Sequence, residues 1–216
     1  MKKSIIENKV IVAMTKATDL MIISLYWLIL CIPVITIIPA STALYYSAVK
    51  AVRRDRGNLT TEFFKAFRLN LKQGMFLSVI YLILVVILYT FIDFAHGVGT
   101  DTGLGKIYIT FTIVVAVITA MLTLYLIPAL SRFDVSIPGL FRLSLYFAAK
   151  NLLTLLPLMI TLGTAVVAVY CFVPLLCIIP GVYCYLLSYS VETAFKKHIQ
   201  EHIKPEDQQN EMWYME

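Results

Sequence analysis

Four long runs without a charged residue dominate the pattern of hydrophobic and polar positions along this chain. They occupy residues 20–49, 73–92, 107–131 and 151–191, and they contain 30, 20, 25 and 41 residues. A helix needs roughly 20 mainly apolar residues to cross a hydrocarbon core about 30 Å thick. Each run is therefore long enough to cross a bilayer at least once, and the pattern predicts an integral membrane protein.

Composition supports this prediction. The chain is 60% hydrophobic and 14% charged, whereas soluble domains are roughly 45–50% apolar and about 25% charged. The basic residues flank the apolar runs, so the net charge of +5 indicates membrane topology rather than nucleic-acid binding. A cleaved signal peptide is not expected, because Glu7, Lys9 and Lys16 interrupt the N-terminal stretch, which we interpret as a short amphipathic segment.

The number of crossings depends on two of the runs. The run 151–191 fits two helices joined by a turn at 172–174, whereas 20–49 is long for one crossing and slightly short for two. Two crossings, hinged near 33–39, place seventeen of the eighteen Lys and Arg residues on one side and leave only Lys106 on the other. One crossing divides them thirteen to five. Cytoplasmic loops carry an excess of Lys and Arg, so the pattern favours six spans with both termini cytoplasmic.

The predicted fold class is all-α, a polytopic membrane helical bundle of six transmembrane helices with interfacial cytoplasmic helices. One integral membrane domain covers 1–197 and a polar cytoplasmic tail covers 198–216. The second span is only mildly apolar, so a re-entrant or protein-buried helix stays open there. Ala43, Ser47 and Ala51 form a small-residue stripe, which we interpret as a packing face. The six spans are 17–35, 37–54, 73–95, 107–130, 150–171 and 174–195.

Two similar segments suggest an internal repeat. FRLNL at 67–71 precedes the third span, and FRLSL at 141–145 precedes the fifth. The wider segments, 61–72 and 137–150, mix aromatic and basic residues as interfacial helices do. An even number of spans separates the segments, so the repeat is parallel if it is real. A chance similarity between two interfacial helices is the alternative.

Motifs for catalysis are weak. The segment 198–202 matches H-x-x-E-H, a zinc-binding pattern, but a solvated cytoplasmic helix end is the preferred interpretation because the polar tail offers no clear further ligand. Glycines at 97–105 resemble a phosphate-binding loop without its full spacing, which favours a flexible external loop. The four cysteines have no CxxC spacing, so buried free thiols are expected. We expect no catalytic residue, no metal and no cofactor.

Ionisable residues near the ends of spans have a simple interpretation. Asp93 with His96, and Glu192 with Lys196, have the spacing of pairs at helix ends. Proton relays are the alternative, because ionisable residues inside a membrane are functional candidates. Prolines within the spans fit either transport hinges or ordinary helix packing.

The stretch 27–44, WLILCIPVITIIPASTAL, resembles the N-terminal signature of the YesL-like family of bacterial membrane proteins. Residues 63–67 and 125–134 also resemble that family, so the resemblance spans most of the chain. Ile38 departs from it, because a glycine is expected before the following proline. The residues that carry the match in the signature are Pro33, Thr36, Pro39 and Ala40.

The resemblance implies a multi-pass protein of the bacterial cytoplasmic membrane that is linked with carbohydrate utilisation and has no established activity. It leads to the hypothesis of a non-enzymatic protein accessory to carbohydrate uptake; the alternatives are a small solute transporter or channel, and an intramembrane enzyme. Expected partners are the lipid bilayer and a sugar transporter subunit, a homo-oligomer stays open, and nucleic acid is not expected. The candidate functional residues are Trp27, Pro33, Thr36, Pro39, Asp93 and Glu192.

Overall fold

Helices account for nearly all of the structure, a computed structural model that describes residues 2–100, 102–133 and 135–202. Side chains are described within those ranges except at 2–10, 152–153 and 197–202. The described residues contain no strand, and the all-α prediction is confirmed. A π-helical segment, Ala48–Arg53, extends the second helix, and 3-10 turns at Val34–Thr36 and Val173–Cys177 precede the second and last helices. The α-helices are α1 (Lys2–Leu30), α2 (Ile37–Ser47), α3 (Leu59–Val98), α4 (Gly103–Arg132), α5 (Ile137–Lys150), α6 (Leu152–Cys171) and α7 (Ile179–His202).

Local signals fix the ends of the two longest helices. The Asn58 side chain caps α3 by accepting a hydrogen bond from the backbone N–H of Thr60 at 3.2 Å. Thr102 caps α4 in the same way, accepting from the backbone N–H of Gly105 at 3.1 Å. Gly99 ends α3 with a φ of 96°, a conformation that costs glycine little because it has no Cβ.

Five helical stretches are long and apolar enough to cross a membrane. Large apolar side chains are exposed along them, as expected of surfaces in contact with lipid. The predicted sixth span, 174–195, falls in the second 3-10 turn and α7 and is not among the five, so it stays a prediction, as does the side on which the termini lie. The five stretches are Ile11–Leu30, Val34–Arg53, Leu59–Val98, Gly103–Arg132 and Thr154–Cys171.

The first segment predicted to be interfacial does not form a separate helix. Residues 61–72 are the first part of α3, which continues without a break through 40 residues. Gly74 does not interrupt it, because the missing side chain lets Pro39 of α2 pack directly on the helix; an added Cβ would lie 2.8 Å from the proline ring. The second such segment is a separate helix, α5, which ends where Asn151 leaves helical geometry, and its position at the interface stays a prediction.

The connection 54–58 before α3 and the connection 133–136 between α4 and α5 define one end of the bundle, which we call the basic end. The buried core lies toward this end. The Tyr125 and Phe147 rings stack there with centroids 6.0 Å apart, and Phe147 and Phe195 lie at 4.7 Å. An exposed ion pair between Lys16 and Asp55, 3.2 Å long, ties α1 to the same end. The core therefore joins α1, α4, α5 and α7 around α2.

Candidate functional site

A buried carboxylate lies at the basic end. Glu192 of α7 is 1% exposed, and Arg132, the last residue of α4, is 8% exposed. The Arg132 guanidinium contacts the Glu192 carboxylate directly, and Arg54 Nη2 lies 3.6 Å from the same carboxylate oxygen, Oε2. Tyr45 of α2 donates its hydroxyl to the other oxygen, Oε1, at 3.0 Å. One carboxylate thus joins α7, α4, α2 and the α2–α3 connection; we call these four residues the Glu192 cluster.

Further cations surround this cluster. Arg53 donates from Nη1 to Ser188 Oγ at 3.1 Å, and its guanidinium lies 4.0 Å from the centre of the Tyr189 ring. Burial lowers the pKa of Lys196, and the nearby guanidinium groups lower it further. Guanidinium groups stay protonated, so Arg54 and Arg132 cannot pass a proton to the carboxylate that they face. The arrangement therefore favours a structural ion-pair cluster over a proton relay.

A half-open cavity of about 640 Å³ lies beside the Glu192 cluster. Residues of α1, α2, α3, α4, α6 and α7 line it, and none of its lining residues is charged. Most of its wall is aliphatic, with Leu88, Ala116, Leu124, Leu162, Val169 and Leu187 as examples.

Most polar groups of the cavity wall are paired with each other. The hydroxyl groups of Tyr81 and Thr123 are 2.8 Å apart and join α3 to α4. Trp27 Nε1 donates to Ser41 Oγ at 3.0 Å and joins α1 to α2. The buried Tyr183 hydroxyl has no hydrogen-bond partner among the described residues. The wall therefore offers few free polar groups to a molecule inside the cavity.

Tyr45 connects the cavity to the Glu192 cluster. Its side chain lines the cavity while its hydroxyl bonds Glu192. The apolar cavity and the buried charges are thus separated by a single aromatic ring. A change in one is expected to affect the other through this residue.

The structure brings together only some of the predicted functional residues. Trp27 lies in the cavity wall. Pro33 and Thr36 form the turn between α1 and α2, where Thr36 Oγ1 donates to the Pro33 carbonyl at 2.6 Å. Pro39 is buried against Gly74 of α3. These proline and threonine residues shape the hairpin, whereas Trp27 lines the cavity together with Ser41 and Leu44 of the same signature stretch.

The two charge pairs predicted from the sequence are Asp93 with His96 and Glu192 with Lys196. Asp93 and His96 are exposed near the end of α3, and no ion pair joins them in the described part of the structure. The Glu192 carboxylate contacts Arg132, Arg54 and Tyr45 across the bundle, and its pairing with Lys196 stays a prediction. The side chains of the H-x-x-E-H segment lie outside the described residues.

The structure also bears on the cysteines and on two arginines. The four cysteines are free, but Cys171 is exposed at the end of α6 rather than buried. Sequence reasoning counted Arg54 and Arg132 only as topology signals and missed their role at the site. A usable signal existed, because Arg132 and Glu192 each directly follow a long uncharged run and carry opposite charges.

Comparisons with known proteins give one match. No curated protein and no solved structure matches this chain. Residues 20–92 match the family model described as "Protein of unknown function, DUF624". The match covers part of α1, the turn at Pro33, all of α2 and most of α3. It includes the Trp27–Ser41 contact and Tyr45, but not Arg132 or Glu192. Residues 20–92 thus carry the similarity to DUF624, which is the domain of the YesL-like family that the sequence resembles.

Proposed function

We propose that this protein is a non-enzymatic membrane protein that assists another membrane protein, and that the assisted system is carbohydrate uptake or utilisation. The resemblance to the YesL-like family supports the link to carbohydrates. The character of the cavity supports the accessory role, and it is the observation that carries this part of the proposal.

A sugar is a poor occupant for this cavity. Its hydroxyl groups need hydrogen-bond partners, and burying a hydroxyl without one costs roughly 1–3 kcal/mol in proteins. The wall is largely aliphatic and bears no charge, and the Tyr81–Thr123 and Trp27–Ser41 pairs already use much of its hydrogen-bonding capacity. The sugar path is therefore assigned to the partner protein.

The accessory role is tested in native membranes. A tagged full-length chain is purified after mild cross-linking, and the expected result is recovery of a sugar transporter subunit. Deletion of the gene is expected to reduce growth on at least one glycan. If no transporter subunit is recovered and growth on every glycan is unchanged, the accessory role is wrong.

A second candidate is a transporter or channel in its own right, and the cavity favours an amphiphilic solute over a sugar. Binding sites of this volume typically combine apolar walls with a few polar groups that orient the ligand. Here the polar groups of the wall include the Tyr81–Thr123 and Trp27–Ser41 pairs.

Cavity filling tests the second candidate in reconstituted vesicles. Ala120 lines the cavity, so Ala120→Phe is expected to lower flux of an amphiphilic solute at least tenfold. Ala149→Phe is the matched control, because Ala149 is exposed on α5 and does not line the cavity. Absence of flux across a broad panel of solutes, or equal flux in both variants, counts against transport.

A further inference from the structure

The hairpin of α1 and α2 reaches only half the length of its neighbour α3. The backbone N–H of Ile38, near the start of α2, donates to Ser78 Oγ at 3.2 Å. In the π-helical segment that extends α2, Lys50 Nζ lies 2.8 Å from Glu62 Oε2. Ser78 is in the middle of α3, which continues to Val98. At 1.5 Å per residue, α3 extends about 30 Å beyond the beginning of α2.

The part of α3 beside α2 is its polar half. Lys65, Arg68 and Lys72 lie there with exposed side chains, whereas the uncharged run 73–92 starts close to the level at which α2 begins. Charged side chains are costly at the centre of a bilayer. If α2 crossed the whole hydrocarbon core, Lys65 and Arg68 beside it would be drawn to hydrocarbon depth. The register of α2 against α3 therefore indicates that α2 does not cross the whole hydrocarbon core.

The turn of this hairpin is nevertheless apolar. Ile32 is 78% exposed, and no charged residue occurs between Leu20 and Val49. The α3–α4 connection is different, because its sequence at 99–102 is Gly-Thr-Asp-Thr, without an aliphatic side chain. A cluster of exposed aliphatic side chains indicates contact with a membrane or a partner. The exposed aliphatic residues around the turn are Ile29, Ile32, Val34, Ile35 and Ile37.

The backbone of the turn satisfies much of its own hydrogen-bonding capacity. Thr36 donates its hydroxyl toward the carbonyls of Leu30 and Pro33, and its backbone N–H donates to the Pro33 carbonyl at 3.0 Å. The backbone N–H of Cys31 donates to the Trp27 carbonyl at 2.9 Å. Irregular backbone inside a membrane requires such internal partners. This turn is therefore suited to an apolar surrounding.

We propose that the α1–α2 hairpin is a re-entrant element, which enters the bilayer from the basic end, turns within the hydrocarbon at 31–36 and returns to the same side. The occupant of the exposed apolar turn is lipid hydrocarbon. The level of the turn, near Ser78, lies about five residues inside the uncharged run of α3, which corresponds to a depth of about 8 Å.

This arrangement explains why charge counting favours two crossings. A hairpin that turns inside the bilayer returns to its starting side, so it distributes the basic residues as two complete crossings do. The hairpin also contributes Trp27, Ser41 and Tyr45 to the wall of the cavity.

Spin labels measure the depth of the turn directly. The full-length chain, with its four cysteines replaced by serine, is reconstituted in lipid nanodiscs and labelled at Val34→Cys. Thr100→Cys in the α3–α4 connection serves as the reference in water, and Ile83→Cys on the exposed apolar face of α3 serves as the reference in hydrocarbon. Accessibility to oxygen and to a water-soluble nickel chelate is compared for each label.

The Val34 label is expected to resemble the Ile83 label, with collisions favouring oxygen over the nickel chelate by several-fold. The Thr100 label is expected to show the reverse preference. The proposal is overturned if the Val34 label is as accessible to the nickel chelate as the Thr100 label is, because the turn then lies in water and not in hydrocarbon. Ile32→Cys, at the most exposed residue of the turn, repeats the test if Val34→Cys fails to fold.

Discussion

Removing the charge of Glu192 is expected to destabilise the whole bundle. Glu192→Gln keeps the volume of the side chain and an oxygen that can accept from Tyr45, but it leaves the buried Arg132 guanidinium without its carboxylate. Breaking a buried ion pair by removing one partner typically costs about 3–5 kcal/mol. Arg54, at 3.6 Å from the carboxylate, adds a second cation to the same place. We therefore expect a loss in the upper part of that range.

The assay is equilibrium unfolding in detergent micelles, followed by the loss of helical circular dichroism. Asp55→Asn is the matched control, because it removes a carboxylate from an ion pair in which the Asp55 side chain is 72% exposed. Such exposed pairs contribute about 0–1 kcal/mol. The difference between the two variants isolates the effect of burial.

A double variant separates the ion pair from its surroundings. Glu192→Leu combined with Arg132→Met removes both charges, and apolar replacement of a buried pair is often close to neutral. We expect it to recover at least half of the loss seen for Glu192→Gln. If Glu192→Gln is no less stable than Asp55→Asn, the carboxylate does not hold the buried cations together and the reasoning is refuted.

Three further predictions concern local features of the helices. Gly74→Ala is expected to lower the free energy of unfolding by about 1–3 kcal/mol, because the added methyl group overpacks against Pro39. Gly163→Ala is the control and should be neutral or stabilising, because an added Cβ there meets nothing within 4 Å. Equal effects of the two variants on the unfolding midpoint contradict the close contact. Asn58→Ala should cost about 1 kcal/mol by removing the cap of α3, and an unchanged midpoint refutes that role. The pKa of Lys196 is lowered in the folded protein, so its positive charge disfavours folding below that pKa, and this penalty disappears as pH rises toward 10.5. Lys196→Met should therefore flatten the rise in the free energy of unfolding across this pH interval. A pH profile of stability that is the same in both proteins contradicts the prediction.

Sequence alone identified the features that depend on local chemistry. Uncharged runs of 20 residues or more predicted helices and a membrane, because unpaired backbone groups cannot be left in hydrocarbon. The turn around Pro33 and the break after Cys171 follow from proline and chain length in the same way. The continuity of α3 through Gly74 did not follow, because the packing of Pro39 on that glycine is a tertiary contact.

The partners of Glu192 and the register of α2 against α3 were decided by the tertiary structure. Spacing along a helix can compare Glu192 only with neighbours such as Lys196, whereas the structure places it on Arg132, sixty residues earlier in the chain. Charge counting records the side to which each connection returns, but not how far the chain travels before it turns. The depth depends on the register between Ile38 and Ser78, and that register arises only when α2 packs against α3.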